Sequence, residues 1–250
     1  MHHKANSLKG YKLHGTDADI GKIDEFYFDD KYWTIRYLVA DTGNWLTGTQ
    51  VLISPYALLK LNVEAETISV GLTKKQIEES PSLQSDQPVS RQYEASYFEY
   101  FGWNTYWEGG NVGGPYISPE NIKLMAEETE QRQKAWDPHL YSTRDAVKHD
   151  IQCTDGEIGH LEDFIIDDMT WTIRYLIIDT QNLWPGKKVL ISPEWIKSIS
   201  WSESKVYVDQ LSEKVRMAPE YTDDMTLTRA YEVELHQYYN CRGYWAEEKK

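Results

Sequence analysis

The chain has 250 residues, of which 40% are hydrophobic, and this composition is typical of a globular protein with room for two domains. Its 40 acidic and 26 basic side chains give a formal net charge of -14, which would repel a phosphate backbone, so we expect no nucleic-acid partner. No apolar run approaches the roughly 18 residues that span a bilayer, so we expect a cytoplasmic protein without membrane insertion. Cys153 and Cys241 form neither a disulfide framework nor a CxxC metal motif.

An internal repeat is the strongest pattern in the sequence. Residues 21–55 align with residues 159–193 at a constant offset of 138 without gaps, and 19 of these 35 positions are identical. The block from Trp33 to Leu38 recurs unchanged as Trp171 to Leu176. We therefore predict a tandem duplication. Its predicted parts are a first unit at 1–108, a linker with one helix at 109–142, and a second unit at 143–250.

Within the first unit, the pattern indicates short β-strands. Glu25–Phe28 and Trp33–Ala40 are β-branched and aromatic runs around the polar segment Asp29–Tyr32, as in a β-hairpin. Along the second run, alternate residues share a face, which predicts a strand buried on one side. Further short strands are predicted at Val51–Ile53, Lys60–Val63 and Thr67–Val70. The predicted fold class is mainly β, with two small β-barrels in tandem.

Each unit is predicted to continue into a short helix and an aromatic-rich C-terminal tail. Thr73 and Gln76 have the spacing of a capping box at the start of the short helix. In the first tail, aromatic residues recur at helical spacing before Gly102, which would end that helix. Because so many rings would exceed a typical exposed apolar patch, we expect both tails to be buried. Each tail could cover its own barrel or, as we favour, the barrel of the other copy.

The charged residues of the hairpins have structural interpretations. Asp side chains at a hairpin tip cap turn amides, which we prefer to an acid–base or metal role for the repeated Asp-Asp pairs. A four-residue turn would place Glu25 opposite Arg36, and Asp163 opposite Arg174, as cross-strand ion pairs. These four residues are therefore assigned to structural pairs.

The residues now described resemble the PRC-barrel family. In the first copy the resemblance is carried by Ile20-Gly21, Phe26, Asp29-Asp30, Trp33 to Leu38, Asp41-Thr42, Ser54-Pro55 and Leu72-Thr73. In the second it is carried by Thr154 to Gly159 and Asn182 to Lys188. Related barrels form the cytoplasmic part of the H subunit of purple bacterial photosynthetic reaction centres and the C-terminal domain of ribosome maturation factors. The resemblance implies a protein-binding scaffold.

Large apolar side chains in predicted loops are the candidate partner-binding residues: Trp45, Leu46, Leu183 and Trp184. They either contact a partner or fold back as lids over the barrel ends. No GxSxG, phosphate loop or HExxH motif occurs, and the histidines do not repeat as a duplicated metal site would require. We therefore expect no catalytic residue, cofactor or metal.

The predicted function is that of a non-enzymatic scaffold or adaptor that binds another protein, and the sequence leaves a homo-oligomer open. The alternative is a sensor that binds a small ligand or cation between the two barrels, because duplicated domains create a cleft and the surface is acidic.

Overall fold

The computed structural model describes residues 1–43, 45–46, 49–81, 83–84, 89, 91–106, 140–180 and 187–249. The predicted linker helix, Leu183 and Trp184 lie outside the described residues. The chain divides into two compact units. The first contains residues 1, 3–144 and 167–172, and the second contains residues 2, 145–166 and 173–250.

Up to residue 146 the described residues form mostly β-structure with a few short helices. The strands are β1 (His2–Lys4), β2 (Lys12–His14), β3 (Asp19–Asp29), β4 (Thr34–Asp41), β5 (Thr49–Ile53), β6 (Leu58–Asn62), β7 (Thr67–Val70), β8 (Leu83–Gln84) and β9 (Leu140–Ser142). The helices are α1 (Ala5–Leu8), α2 (Lys74–Glu78), α3 (Arg91–Phe101), α4 (Thr143–Ala146) and the 3-10 turn η1 (Pro55–Ala57).

From residue 150 onward the elements follow a similar sequence. The strands are β10 (Asp150–Cys153), β11 (Gly156–Asp167), β12 (Thr172–Asp179), β13 (Lys188–Ile191), β14 (Ile196–Ser200), β15 (Lys205–Val208) and β16 (Glu220–Tyr221). The helices are α5 (Ser212–Arg216), α6 (Arg229–Tyr239) and the 3-10 turns η2 (Pro193–Trp195) and η3 (Tyr244–Lys249).

Each unit contains a mixed sheet. In the first unit the strand order is β6-β7-β2-β3-β4-β5-β8, with β2 and β7 parallel and the remaining neighbours antiparallel. In the second unit the order is β14-β15-β10-β11-β12-β13-β16, with β10 and β15 parallel. Among the described strands, neither path closes on itself. A mainly β fold is thus confirmed, whereas the strand pairing does not confirm a closed barrel.

Strand β4 is buried on both faces, unlike the predicted one-sided strand. Every residue from Thr34 to Ala40 is buried. Tyr37 and Val39 pack in one hydrophobic cluster with Tyr97 and Phe98 of α3. The alternate residues of β4 therefore point into two different buried environments. The aromatic tail covers the face of β4 that would otherwise meet solvent.

The hairpin between β3 and β4 has a different register from the one expected. Trp33 lies in the turn with a φ of 51°, and further irregularities follow along β3. Glu25 therefore lies opposite Val39, and the predicted pairing of Glu25 with Arg36 is wrong. The carboxylate of Asp29 accepts hydrogen bonds from two turn amides, at 2.9 and 3.2 Å, which confirms its predicted capping role.

The short helix α2 begins as predicted. The Thr73 hydroxyl oxygen accepts from the backbone N–H of Gln76 at 3.1 Å, and the Gln76 side chain accepts from the Thr73 N–H at 2.9 Å. Both halves of the capping box are therefore present.

Two glycines sit where the backbones of neighbouring strands approach most closely. A Cβ atom on Gly21 would lie 2.1 Å from the carbonyl oxygen of Asp41, and one on Gly159 would lie 2.0 Å from that of Asp179. Both contacts are with backbone, which cannot move aside as a side chain can. We expect Gly21→Ala or Gly159→Ala to destabilise its unit by about 1–3 kcal/mol or more, as measured by urea denaturation.

The matched control for these substitutions is Gly71→Ala. Its Cβ would meet only the Leu59 side chain at 3.4 Å and the Ala57 carbonyl oxygen at 3.5 Å, which are ordinary contacts. We expect a change within about 0.5 kcal/mol. Equal stability of Gly21→Ala and Gly71→Ala would contradict the close approach.

Candidate functional site

The aromatic tail of the first unit is built on helix α3. Tyr93, Tyr97 and Phe101 lie on this helix, and Gly102 follows it with a φ of 67°, as expected for a helix end. Tyr97 donates its hydroxyl hydrogen to the carbonyl of Leu52 at 2.8 Å, within the same unit. The tail thus covers its own strands, so the favoured exchange of tails between copies is wrong for this unit.

The second unit attaches its tail by equivalent contacts. Tyr231 on α6 donates to the carbonyl of Pro219 at 3.1 Å, as Tyr93 donates to that of Pro81 at 2.9 Å. The hydroxyl of Tyr175 on β12 lies within hydrogen-bond distance of α6. Here too the tail packs on its own unit, so the exchange is wrong for both. Each tail helix begins only a few residues after the preceding strand of its unit, so the strands of the same unit are the nearest surface on which it can pack.

A fully buried carboxylate anchors the end of the first tail. Glu94 on α3 has no exposed surface, and its two oxygens accept from the hydroxyl of Tyr106 at 3.0 and 3.1 Å. Arg36 lies on the other side of this tyrosine, with its guanidinium carbon 3.7 Å from the ring centre. The carboxylate, the ring and the guanidinium thus form a stack that joins the tail to β4.

Arg36 is buried and incompletely paired. Its side chain is 4% exposed, and its Nη2 lies 3.4 Å from Oδ2 of Asp29, which is long for a charge-assisted hydrogen bond. Its Nε has no hydrogen-bond partner among the described residues. A buried guanidinium with an unsatisfied N–H lowers the stability of the fold. Contact with the tail therefore does not by itself explain why an arginine is buried here.

A cavity of about 390 Å³ lies beside Arg36, within the first unit. This volume falls in the range of about 300–1,000 Å³ that is typical of small-molecule sites. The apolar part of the wall includes Leu58, Leu59, Phe98, Met169 and Trp171. The polar part includes Arg36, Ser54, Tyr56, Tyr106 and Asp168. The arrangement of apolar walls around a few polar groups is that of a ligand pocket.

One wall of the cavity is the hairpin turn after β11, which belongs to the first unit. The carboxylate of Asp168 contacts the N-terminal amine of Met1, and its other oxygen lies 3.0 Å from Nε2 of His3. The backbone N–H of Ile35 donates to the carbonyl of Trp171 at 2.8 Å. The wall is therefore held by both charged and backbone contacts.

Electrostatics within the cavity come mainly from Arg36. Burial raises the pKa of the Tyr56 hydroxyl, and the nearby Arg36 charge opposes that rise. Tyr56 therefore stays a neutral hydrogen-bonding group at neutral pH. The guanidinium supplies the positive charge of the described wall, and the Asp168 carboxylate is engaged with the N-terminal amine.

The second unit repeats the stack of carboxylate, ring and guanidinium. Buried Glu232 accepts from the hydroxyls of Tyr244 at 2.8 Å and Tyr175 at 3.0 Å, and Arg229 lies 3.1 Å from its other oxygen. The guanidinium carbon of Arg174 lies 4.0 Å from the centre of the Tyr244 ring. Arg174, Glu232 and Tyr244 are each 138 residues after their counterparts in the first unit.

A buried histidine distinguishes the second stack from the first. His236 stands at the position equivalent to Phe98, with Nε2 at 3.1 Å from the Tyr175 hydroxyl. Its Nδ1 lies 2.9 Å from the carbonyl oxygen of Arg242, which can only accept, so Nδ1 carries the hydrogen. Desolvation lowers the pKa of His236, while that hydrogen bond and Glu232 oppose the shift.

The predicted partner-binding residues fold back in the part that the structure describes. Trp45 donates its indole N–H to the carbonyl of Ile20 at 2.7 Å, and the Lys74 ammonium lies 4.3 Å from a ring of its indole. The carbonyl of Leu46 accepts from the Thr42 hydroxyl at 3.1 Å. The indole of Trp45 thus contacts its own unit, while partner binding by Trp45 and Leu46 stays a prediction. The roles predicted for Leu183 and Trp184 stay predictions, since both lie outside the described residues.

The predicted structural pairs have other partners in the first hairpin. Glu25 contacts the Ser142 hydroxyl and lies 3.8 Å from Arg144, whereas Arg36 contacts Asp29. The pairing of Asp163 with Arg174 in the second hairpin stays a prediction.

Sequence reasoning missed the buried carboxylates and the cavity. Glu94 and Glu232 repeat at the same offset of 138 as residues 21–55 and 159–193, which was a usable signal for their common role. The cavity had no such signal, because its walls come from segments far apart in the sequence. Leu59 and Met169, both in its wall, are separated by more than a hundred residues.

Metal sites and membrane-spanning helices are also absent from the described residues. They contain no group of three or more His, Cys, Asp or Glu side chains placed to hold a metal ion. None of the described helices is both long enough and apolar enough to cross a bilayer.

The fold and the cavity define a mainly β domain with a mixed sheet, a short capped helix and an aromatic tail. The PRC-barrel domain family matches residues 2–77, so the N-terminal part of the chain contains a PRC-barrel domain. The match runs from β1 into α2 and stops before the tail. A search of curated proteins gave no match to this chain.

The buried histidine predicts how stability depends on pH. Because the pKa of His236 is lowered in the folded state, the unfolded state binds the proton more readily as the pH falls below about 6.5. Stability should therefore fall between pH 7.5 and 5.5. We expect His236→Phe, which installs the residue of the first unit, to reduce this fall, as measured by urea denaturation at both values.

The reciprocal substitution is Phe98→His in the first unit. It adds a buried histidine, so it should steepen the loss of stability at low pH. An unchanged pH dependence in both variants would contradict the role given to His236.

Proposed function

We propose that the protein is a non-enzymatic binding protein built from two PRC-type barrels, and that it binds a small molecule in the cavity of the first unit. The observation that carries this proposal is the cavity beside Arg36, whose buried guanidinium is incompletely paired. A bound acceptor would give the guanidinium a closer partner than the 3.4 Å contact to Asp29. The proposal moves the predicted ligand site from between the barrels into the first unit.

The proposal that the second unit is also a PRC-type barrel rests on the architecture that it shares with the first. The strand order of the two units is the same, and the close backbone approach at Gly21 recurs at Gly159. The stack of Glu94, Tyr106 and Arg36 recurs at an offset of 138. These are framework contacts, and they support a duplicated domain rather than two unrelated ones.

The hydrogen bonds of the polar side chains in and near the cavity favour a binding role over catalysis. Ser54 is the serine in the described wall, and its Oγ is 3.4 Å from the N–H of Tyr56, for which it acts as acceptor. No histidine lies in the described wall to act as its base. Glu94, which could accept a proton, is fully buried behind Tyr106. These side chains hold the tail and the cavity wall in place, and they are not arranged to act on a reacting bond.

A protein adaptor is the second candidate function. In the second unit Leu211 and Met217 are exposed on either side of helix α5, where the first unit has Thr73 and Glu79. Exposed apolar side chains of this kind can contact a protein partner. This observation favours a surface on the second unit, separate from the cavity.

The proposed function predicts ligand-dependent thermal stability. A screen of metabolites against the full chain should reveal a compound that gives a saturable rise in Tm. At a concentration of 100 times Kd, the stabilisation should be about 2.7 kcal/mol. Met169→Glu, which places a charge on an 82% exposed residue at the cavity, should abolish the shift.

The matched control is Met217→Glu, which changes a 67% exposed methionine of the second unit. It should retain the full shift. A shift of equal size in both variants, or no shift with any compound, would contradict the proposed cavity function. A protein from native extract that binds the Met169→Glu variant but not the Met217→Glu variant would instead favour the adaptor.

A further inference from the structure

We propose that the cavity of the first unit takes an organic carboxylate, a monoanion with a flat apolar body. This inference rests on the proposed function and specifies the chemistry of its ligand. Its basis is the combination of one buried cation, aromatic walls and an apolar rim at a single site.

The charges of the wall favour a monoanion. Arg36 lines the cavity and its contact to Asp29 is 3.4 Å long, so its guanidinium lacks a close carboxylate partner that an acidic ligand would provide. Charge-assisted bonds from a guanidinium to a carboxylate are among the stronger hydrogen bonds. Arg36 already shares its charge with Asp29, so this single guanidinium would not balance a phosphate dianion as well.

The walls favour a flat apolar body next to the carboxylate. Tyr56 and Phe98 pack with ring centres 5.5 Å apart in an edge-to-face arrangement, and Trp171 contributes to the same cavity. Aromatic walls of this kind gain most from a planar partner, through stacked or edge-to-face contacts. The hydroxyl of Ser54 offers one further polar contact at the wall.

The apolar rim is particular to the first unit. Leu59 is 69% exposed and Met169 is 82% exposed, and both line the cavity. At the offset of 138, the residues equivalent to them are Lys197 and Lys31. Exposed apolar side chains at the mouth of a pocket contribute to binding an apolar ligand, because the ligand removes them from water. Lysine side chains at these positions would keep their charged ends in water instead. Leu59 and Met169 thus give the cavity of the first unit an apolar entrance.

The test measures binding to the full chain by isothermal titration calorimetry. The probes are benzoate, 2-naphthoate and 4-phenylbutyrate, each with its neutral amide, and 2-naphthyl phosphate as a dianion. We expect at least one carboxylate to bind saturably and at least about tenfold more tightly than its amide and than the phosphate. That ratio corresponds to the loss of one good charge-assisted contact.

Variants locate the site. Arg36→Gln should weaken carboxylate binding at least about tenfold, whereas Arg174→Gln, at the equivalent position of the second unit, should leave it unchanged. Because Arg36→Gln also removes a buried charge, its folding is checked by circular dichroism. Met169→Glu alters only an exposed side chain, so it tests the same site without that risk. It should also lower the affinity at least about tenfold.

The outcomes separate this inference from the proposed function. If the amides bind as tightly as the carboxylates and Met169→Glu abolishes both, the carboxylate inference is wrong and the proposed function stands. If no probe binds, the carboxylate inference is overturned, and the metabolite screen alone decides the proposed function. If Arg174→Gln weakens binding as much as Arg36→Gln, binding is not particular to the cavity of the first unit, and the inference is wrong.

Discussion

The contact on which each unit depends is the stack of a buried carboxylate, a tyrosine ring and a guanidinium. In the first unit Glu94 is desolvated completely, and the hydroxyl of Tyr106 donates to it. The same ring faces Arg36, so the tail is attached to the sheet by polar and aromatic contacts at once. Without the tail, the outer face of β4 would expose Tyr37 and Val39 to solvent. The mixed sheet and its tail therefore form one folding unit.

Once this framework exists, single substitutions can give the two units different properties. Phe98 in the first unit is replaced by His236 in the second, which converts an apolar contact into a group that responds to pH. Leu59, in the rim of the cavity, corresponds to Lys197 in the second unit. Glu94, Tyr106 and Arg36 are nevertheless matched by the same residue types in the second unit. The two units thus share framework contacts while differing at single positions that change their chemistry.

The cavity illustrates a general conflict between stability and binding. An arginine with an unpaired Nε and a long contact to Asp29 is less favourable for folding than a fully paired one. The same incomplete pairing is what a binding site requires, since a group already satisfied has nothing to offer a ligand. The framework contacts of Glu94 and Tyr106 fix the surroundings of this arginine. The unit can therefore hold Arg36 in place without pairing it completely.

The sequence by itself determined the parts that depend on neighbours along the chain. The capping box of Thr73, the turn at Asp29 and the helix end at Gly102 follow from local backbone chemistry, and all three are present in the structure. The repeat also indicated that two units would share one framework. Tertiary structure alone decided the partner of Arg36, because the turn at Trp33 and the irregularities along β3 shift the register by amounts that alternation cannot encode. It alone decided the cavity as well, since the cavity exists only where segments distant in sequence are brought together.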